Sequence, residues 1–305
     1  MTQPQKGVCA EPNLHAQYLL LNVVDEDTHA IRAKLARTLE LFDHYDNEHY
    51  EAMVTGVIAI GVHYWPEVYP EAYPTELSPF PDMQCEDRCA PSTPCDVFIQ
   101  IRADRQDICF ELGLEIMELF RIHVDMVEHV HAFRYLDGRD FTGFLIAPDN
   151  PRGMKKLDIT IVGDDDPEFA GGSYIHVQRF RHDFRRWQSL TERQKEQIMG
   201  VTREHHRESP EANASSHYVR MQALDADGKT VPLLDQSMPY GDMNEQGLFR
   251  VTCSAVGPAF KQQLHSRIFG DENGDYDRLL DFTVAETGSA FFAPSITFIR
   301  EQAIK

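Results

Sequence analysis

The chain has 305 residues, enough for one large domain or two ordinary ones with real cores. Its hydrophobic share of 42% and charged share of 26% are those of a folded globular chain, and no run of ~18 apolar residues offers a spanning helix. A formal net charge of -20 opposes DNA, RNA and anionic lipid, which leaves small molecules or proteins as partners.

The N-terminal "MTQPQKGVCAEPNLH" has no apolar core of signal-peptide type, so a cytoplasmic protein is expected. "QYLLLNV" then reads as a strand and "THAIRAKLARTLELFDHY" as an amphipathic helix; "VTGVIAIGVHYW" and "CDVFIQIRAD" read as strands. "CFELGLEIMELFRI" has apolar residues at helical spacing, and "MVEHVHAFRYL" is a closing strand. From about Pro151 the rhythm returns: strand "SYIHVQRF", helix "TERQKEQIMG", strands "HYVRMQAL" and "LFRVTCSAV", and helix "AFKQQLHSRIF", the two helices ended by Gly200 and Gly270. Strand-helix-strand twice in each half predicts an α+β fold of two tandem ferredoxin-like units, over residues 1–150 and 151–305. The segments Pro66 to Pro94 and Glu204 to Ser216 are rich in loop-forming residues and are expected at the surface or over a site.

The six cysteines include three in "QCEDRCAPSTPC", namely Cys85, Cys89 and Cys95. Their spacing lacks the tight pair and matching second pair of a zinc knuckle, so reduced thiols are expected rather than a metal site. With 14 histidines, one alone carries little meaning. His217 stands out because it follows the polar run "RESPEANASS" and opens a predicted strand, so a ligand there is held rigidly beside open space.

Five separated stretches resemble the dye-decolourising peroxidases, a haem-dependent family built from two ferredoxin-like halves. They are "FRYLDGRDFTGF" (133–144), "GGSYIHVQRF" (171–180), "SHYVR" (216–220), "QSMPYG" (236–241) and "TGSAFFAPS" (287–295). The resemblance implies haem b (iron protoporphyrin IX) with His217 as the axial ligand of its iron. It implies Asp277 as the acidic partner of the imidazole's other nitrogen, although an acid there also suits a helix N-terminus. Arg203 matches a retained arginine near the family's haem propionates, where Val201 stands at a position that is commonly arginine, and Asn150 and Phe249 fall among the cofactor-contacting positions.

Two departures bear on chemistry. The family's loop after "TGF" carries Asp-Gly; here those positions are Ile146 and Ala147. The family's arginine two residues before the small polar residue of the "SMPYG" stretch is here Asp235, with Ser237 kept. A carboxylate that shuttles the peroxide proton contributes ~10²–10⁴-fold, and a guanidinium facing developing negative charge ~10²–10³-fold. Their loss predicts weak peroxide turnover and altered haem chemistry, for example Lewis-acid dehydration or rearrangement of an N–O or N–N substrate, with Asp235 and Ser237 as the proton-handling groups. The alternatives are a residual peroxidase in which Asp149 replaces the lost acid, and a non-catalytic haem carrier or sensor. A homo-oligomer, common in the family, is expected.

Overall fold

A computed structural model describes residues 2–222, 231 and 233–305. The first half runs β1 (His15–Val23), α1 (Thr28–Glu48), β2 (Thr55–Gly61), α2 (Trp65–Val68), β3 (Met83–Cys85), β4 (Arg88–Ala90), β5 (Val97–Ala103), α3 (Gln106–Phe120) and β6 (Val124–Phe133). The second runs α4 (Met154–Thr160), β7 (Ser173–His182), α5 (Phe184–Gln188), α6 (Glu192–Met199), α7 (His217–Arg220), β8 (Leu234–Asp235), β9 (Met238–Gly241), β10 (Gln246–Ser254), α8 (Pro258–Ile268), β11 (Thr283–Ala285), β12 (Ser289–Ala293) and α9 (Ile296–Gln302).

These strands form an antiparallel sheet in the order β11-β7-β12-β2-β5-β1-β6-β9-β10-β8, and a further β7–β10 pairing closes it into a barrel. The α+β fold of the sequence reading is therefore present, with the halves joined through β2–β12 and β6–β9 into one sheet. Strand alternation sorts the side chains. Tyr18, Phe98, Phe249, Val251 and Phe291 fill the barrel interior, while Leu19, Ile99 and Ile101 turn outward under α1 and α3. Phe249 stacks on Tyr18 with ring centroids 4.2 Å apart.

Helix ends follow local chemistry. Asp27 caps α1 by accepting from the Ala30 N–H, and Thr191 with Gln194 forms a capping box on α6. α6 stops at Gly200, whose φ of 80° is the left-handed conformation that ends a helix cheaply in glycine.

Two predicted elements differ. "HYVRMQAL" is not a strand where it is described: Val219 and Arg220 donate to the Ser216 carbonyl and Met221 to that of His217, making the single turn α7. Its last two residues, 223 and 224, lie outside the described residues. The segment 66–94 holds α2 and the β3–β4 hairpin, and Phe80, Met83 and Ala90 pack on Phe260 and Ile268 of α8. Cys85 and Cys89 lie on that hairpin, and Cys95 is a buried thiol whose pKa burial pushes up to about 11. Among the described residues no three His, Cys, Asp or Glu side chains gather as a metal set, and no helix is long and apolar enough to cross a membrane.

Candidate active site

Outside the barrel, on the face that β7 and β10 present to α7 and α8, lies a cavity of about 430 Å³. The period-two rule decides what it sees of β10: Leu248, Arg250 and Thr252 line it, and Phe249 and Val251 point the other way. Phe249 is thus a barrel-core residue, not a cofactor contact, which corrects the sequence reading. Phe180 and His182 of β7, Phe144, Ile146, Met199 and Leu279 add a mainly apolar wall.

One turn of helix delivers His217 to this cavity. Its Nδ1 lies 2.8 Å from Oδ2 of Asp277, whose side chain is fully buried, and Nε of Arg267 donates to the same oxygen at 2.7 Å. The other oxygen, Oδ1, accepts from the Leu279 N–H at 3.0 Å. Both sequence readings of Asp277 therefore hold at once: it caps a short 3₁₀ turn and it orients the histidine. Burial alone would raise this carboxyl's pKa, but His217 and Arg267 outweigh it and hold the group well below the usual carboxylate range. An anion at Asp277 fixes the proton on Nδ1 and leaves Nε2 as the donor to a ligand.

Opposite lies the loop 143–151. Asn150 clamps it to β8 twice, donating to the Asp235 carbonyl at 2.6 Å and accepting from the Asp235 N–H at 3.0 Å. Ile146 faces the cavity as an apolar group. Ala147 has φ of 43°, a left-handed conformation that costs an L-residue roughly 1–2 kcal/mol.

Asp235 lines the cavity with Oδ1 held by the Ser237 N–H at 2.8 Å. Its Oδ2 stands 3.8 Å from Nε of Arg250. Sequence reasoning missed this arginine. Arg250 is 3% exposed, donates to the Oε1 atoms of Gln263 and Gln178, and lies over the Phe260 ring. Burial and the neighbouring Arg267 push its pKa down to about 10 against the pull of Asp235, so it remains a cation at neutral pH. An arginine between Phe249 and Val251 was the available signal, since a buried strand accepts one only with partners.

Two expected residues, Arg203 and Ser237, sit elsewhere, and a third, Asp149, stands only at the cavity's edge. Arg203 is half exposed, pairs with Glu192 at 3.2 Å and rests on the Gly143 carbonyl, and it is not among the residues that line the cavity. Asp149 is on the rim, 66% exposed in its side chain, with His206 Nε2 at 3.3 Å. Ser237 faces a different cavity, with Oγ buried and unpartnered. His182, also missed, lines the first cavity with an unpartnered Nε2 and with its pKa lowered by burial.

The geometry defines a class: an α+β barrel whose outer face carries an apolar cavity headed by a carboxylate-anchored histidine. The sequence patterns of the Dyp-type peroxidase N-terminal and C-terminal regions match residues 5–134 and 137–298. The chain belongs to the Dyp-type peroxidase family. It is 36% identical over 247 residues to a dye-decolorizing peroxidase of Mycobacterium tuberculosis, covering 80% of this chain and 74% of that protein. Among solved structures, a Shewanella oneidensis protein of Dyp type superposes with a TM-score of 0.96 at 40% identity, covering 99% of both chains. A Rhodococcus jostii RHA1 DypB variant in complex with heme superposes with a TM-score of 0.92 at 30% identity, covering 97% of both.

Proposed function

We propose that this chain is a haem b enzyme that uses hydrogen peroxide to oxidise small-molecule substrates, with His217 as the iron's axial ligand. The observation that carries the reading is the hydrogen-bonded chain His217–Asp277–Arg267 at the head of an apolar cavity. Nothing else in the cavity competes for Nε2: among the described residues only Nδ1 of this ring is engaged. The residues suit a porphyrin iron: His217 would hold the metal, and the apolar lining of Phe144, Phe180 and Leu248 would suit the macrocycle.

Bound haem would supply a redox-active iron with one open coordination position. The chain's own residues do the rest. Asp277 keeps His217 electron-rich and in one tautomer. Asp235 Oδ2, free of backbone bonds, would accept and give back the proton that peroxide chemistry in this cavity must move. The Arg250 guanidinium supplies the positive charge that the sequence reading judged lost at position 235. Arginine and acid are both present, the arginine on β10 instead of at position 235 and the acid at position 235 instead of 146.

This pairing, with the peroxidase relatives, favours peroxide use over the Lewis-acid chemistry expected from Ile146 and Asp235. Ile146 favours a slower enzyme, not a different reaction. Asn150 acts as a positioning residue for the distal loop. We further propose a cytoplasmic homo-oligomer. The test is turnover of a reducing dye by iron-supplied protein: peroxide-dependent oxidation that falls in both Asp235→Asn and Arg250→Gln supports the reading. A haem-loaded protein inert to peroxide defeats it.

A further inference from the structure

On the far side of the 145–151 loop lies a second cavity of about 570 Å³. It shares Ile146, Asn150 and Asp235 with the first as a common wall. Its charge is unlike the rest of a chain that carries -20 overall. Five cations border it, and two are already neutralised: Lys156 by Glu11 at 2.7 Å and Arg139 by Asp137 at 2.8 Å. Arg102, Arg134 and Arg152 are left without a carboxylate partner among the described residues.

Arg102 is the telling one. It sits on β5 at the barrel's end, 2% exposed, with Nε unpartnered and one terminal nitrogen reaching only the thioether of Met238 at 3.8 Å. A buried guanidinium without an anion is costly, because desolvation is not repaid. Ser237 Oγ and Asn13 Oδ1 border the same space and are also buried without partners. Several orphaned polar atoms around one cavity mark a place for a ligand rather than separate packing faults. Leu145, Pro148, Pro151 and Leu234 give the wall an apolar stretch; of the carboxylates that also border it, Glu11 and Asp137 are taken up by Lys156 and Arg139, and Asp235 faces Arg250 at 3.8 Å.

We propose that this second cavity binds a small organic carboxylate with an apolar body. The carboxylate pairs with Arg102 and accepts from Ser237 Oγ, and the exposed Arg134 and Arg152 draw the anion in from the rim. The apolar body lies against the 145–151 loop, so occupancy presses on the wall that carries Ile146 and Asp235. The inference is drawn from this cavity alone; the calorimetric titration tests it with or without haem, and only the Soret control uses the cofactor.

Benzoate is the probe, titrated by calorimetry into haem-loaded protein while the Soret band is followed. Saturable binding at one benzoate per chain with the Soret maximum unmoved is expected. Benzamide, lacking the charge, and inorganic phosphate, lacking the apolar body, bind at least about tenfold more weakly. Arg102→Gln weakens benzoate about tenfold or more, and Ser237→Ala several-fold. If Arg102→Gln does not fold, the surface double variant Arg134→Gln, Arg152→Gln carries the test, with weaker binding and a flatter salt dependence. No heat at millimolar benzoate, phosphate binding as tightly as benzoate, a Soret shift showing the anion on iron, or affinity indifferent to these arginines would each overturn the proposal.

Discussion

Replacing Asp277 with asparagine removes one charge and almost no volume, which makes it a sharp probe of the anchored histidine. The carboxylate accepts three bonds, from His217 Nδ1, Arg267 Nε and the Leu279 N–H. The asparagine side chain of Asp277→Asn has one acceptor oxygen, so it keeps the cap or one of the others, and its NH₂ then faces a donor. Arg267, 3% exposed, loses its only carboxylate partner among the described residues. Breaking a buried ion pair from one side costs about 3–5 kcal/mol. At ~2–4 °C per kcal/mol for chains of this order of size, the melting temperature of the haem-free protein falls by roughly 6–20 °C. Loss of an imidazole's anchoring partner also weakens a metal ligand about 10–100-fold. Differential scanning calorimetry and a haem titration followed at the Soret band read the two effects separately. A variant that melts within a degree of the native protein and binds haem within twofold would refute the anchoring role.

Other outcomes follow from the same geometry. Ala147→Gly relieves the left-handed alanine and stabilises the protein by about 1 kcal/mol in urea unfolding, whereas any strain-free reading expects a small loss. Ile146→Asp places a carboxylate on the cavity wall beside Asp235 and raises peroxide turnover about tenfold or more; no gain with haem still bound counts against the placement of the loop. His176 stacks on Phe260 at 4.3 Å, and burial, then Arg250, push its pKa down to about 3. A base with a lowered folded pKa is protonated first in the unfolded state, so its contribution is complete above pH ~6.5 and is lost as pH falls towards 3, at roughly 1.4 kcal/mol per unit. His176→Phe should flatten that part of the acid-stability curve measured by denaturant melts.

The fold is legible in the sequence because it rests on periodicity. The continuous apolar run of "QYLLLNV", the two-residue alternation of "LFRVTCSAV" and the helical spacing of "CFELGLEIMELFRI" describe β1, β10 and α3. What alternation cannot tell is which face of β10 meets the cavity, so Phe249 falls in the wrong layer and Arg250 goes unremarked. His217 stands out correctly as a residue at the edge of a polar loop, yet its segment reads as a strand. A single turn closed by the Ser216 carbonyl has too few residues to show a period. Asp277 draws two competing readings because one carboxylate has two oxygens, and each reading uses one of them. Arg203 is misplaced for a related reason: its partners, Glu192 and the Gly143 carbonyl, are 11 and 60 residues away in sequence, and spacing does not reveal them. Charges paired across strands, such as Asp235 with Arg250, leave no trace in the spacing of either.

The proposed bond from residue 217 to iron is tested most directly by the absorption spectrum of protein produced with ample iron, native beside His217→Ala. The native protein should carry a Soret band that shifts when imidazole or cyanide is added, and the variant should lose haem or show a displaced band that external imidazole restores. A colourless native protein, or a variant whose Soret band is unchanged, would contradict the assignment.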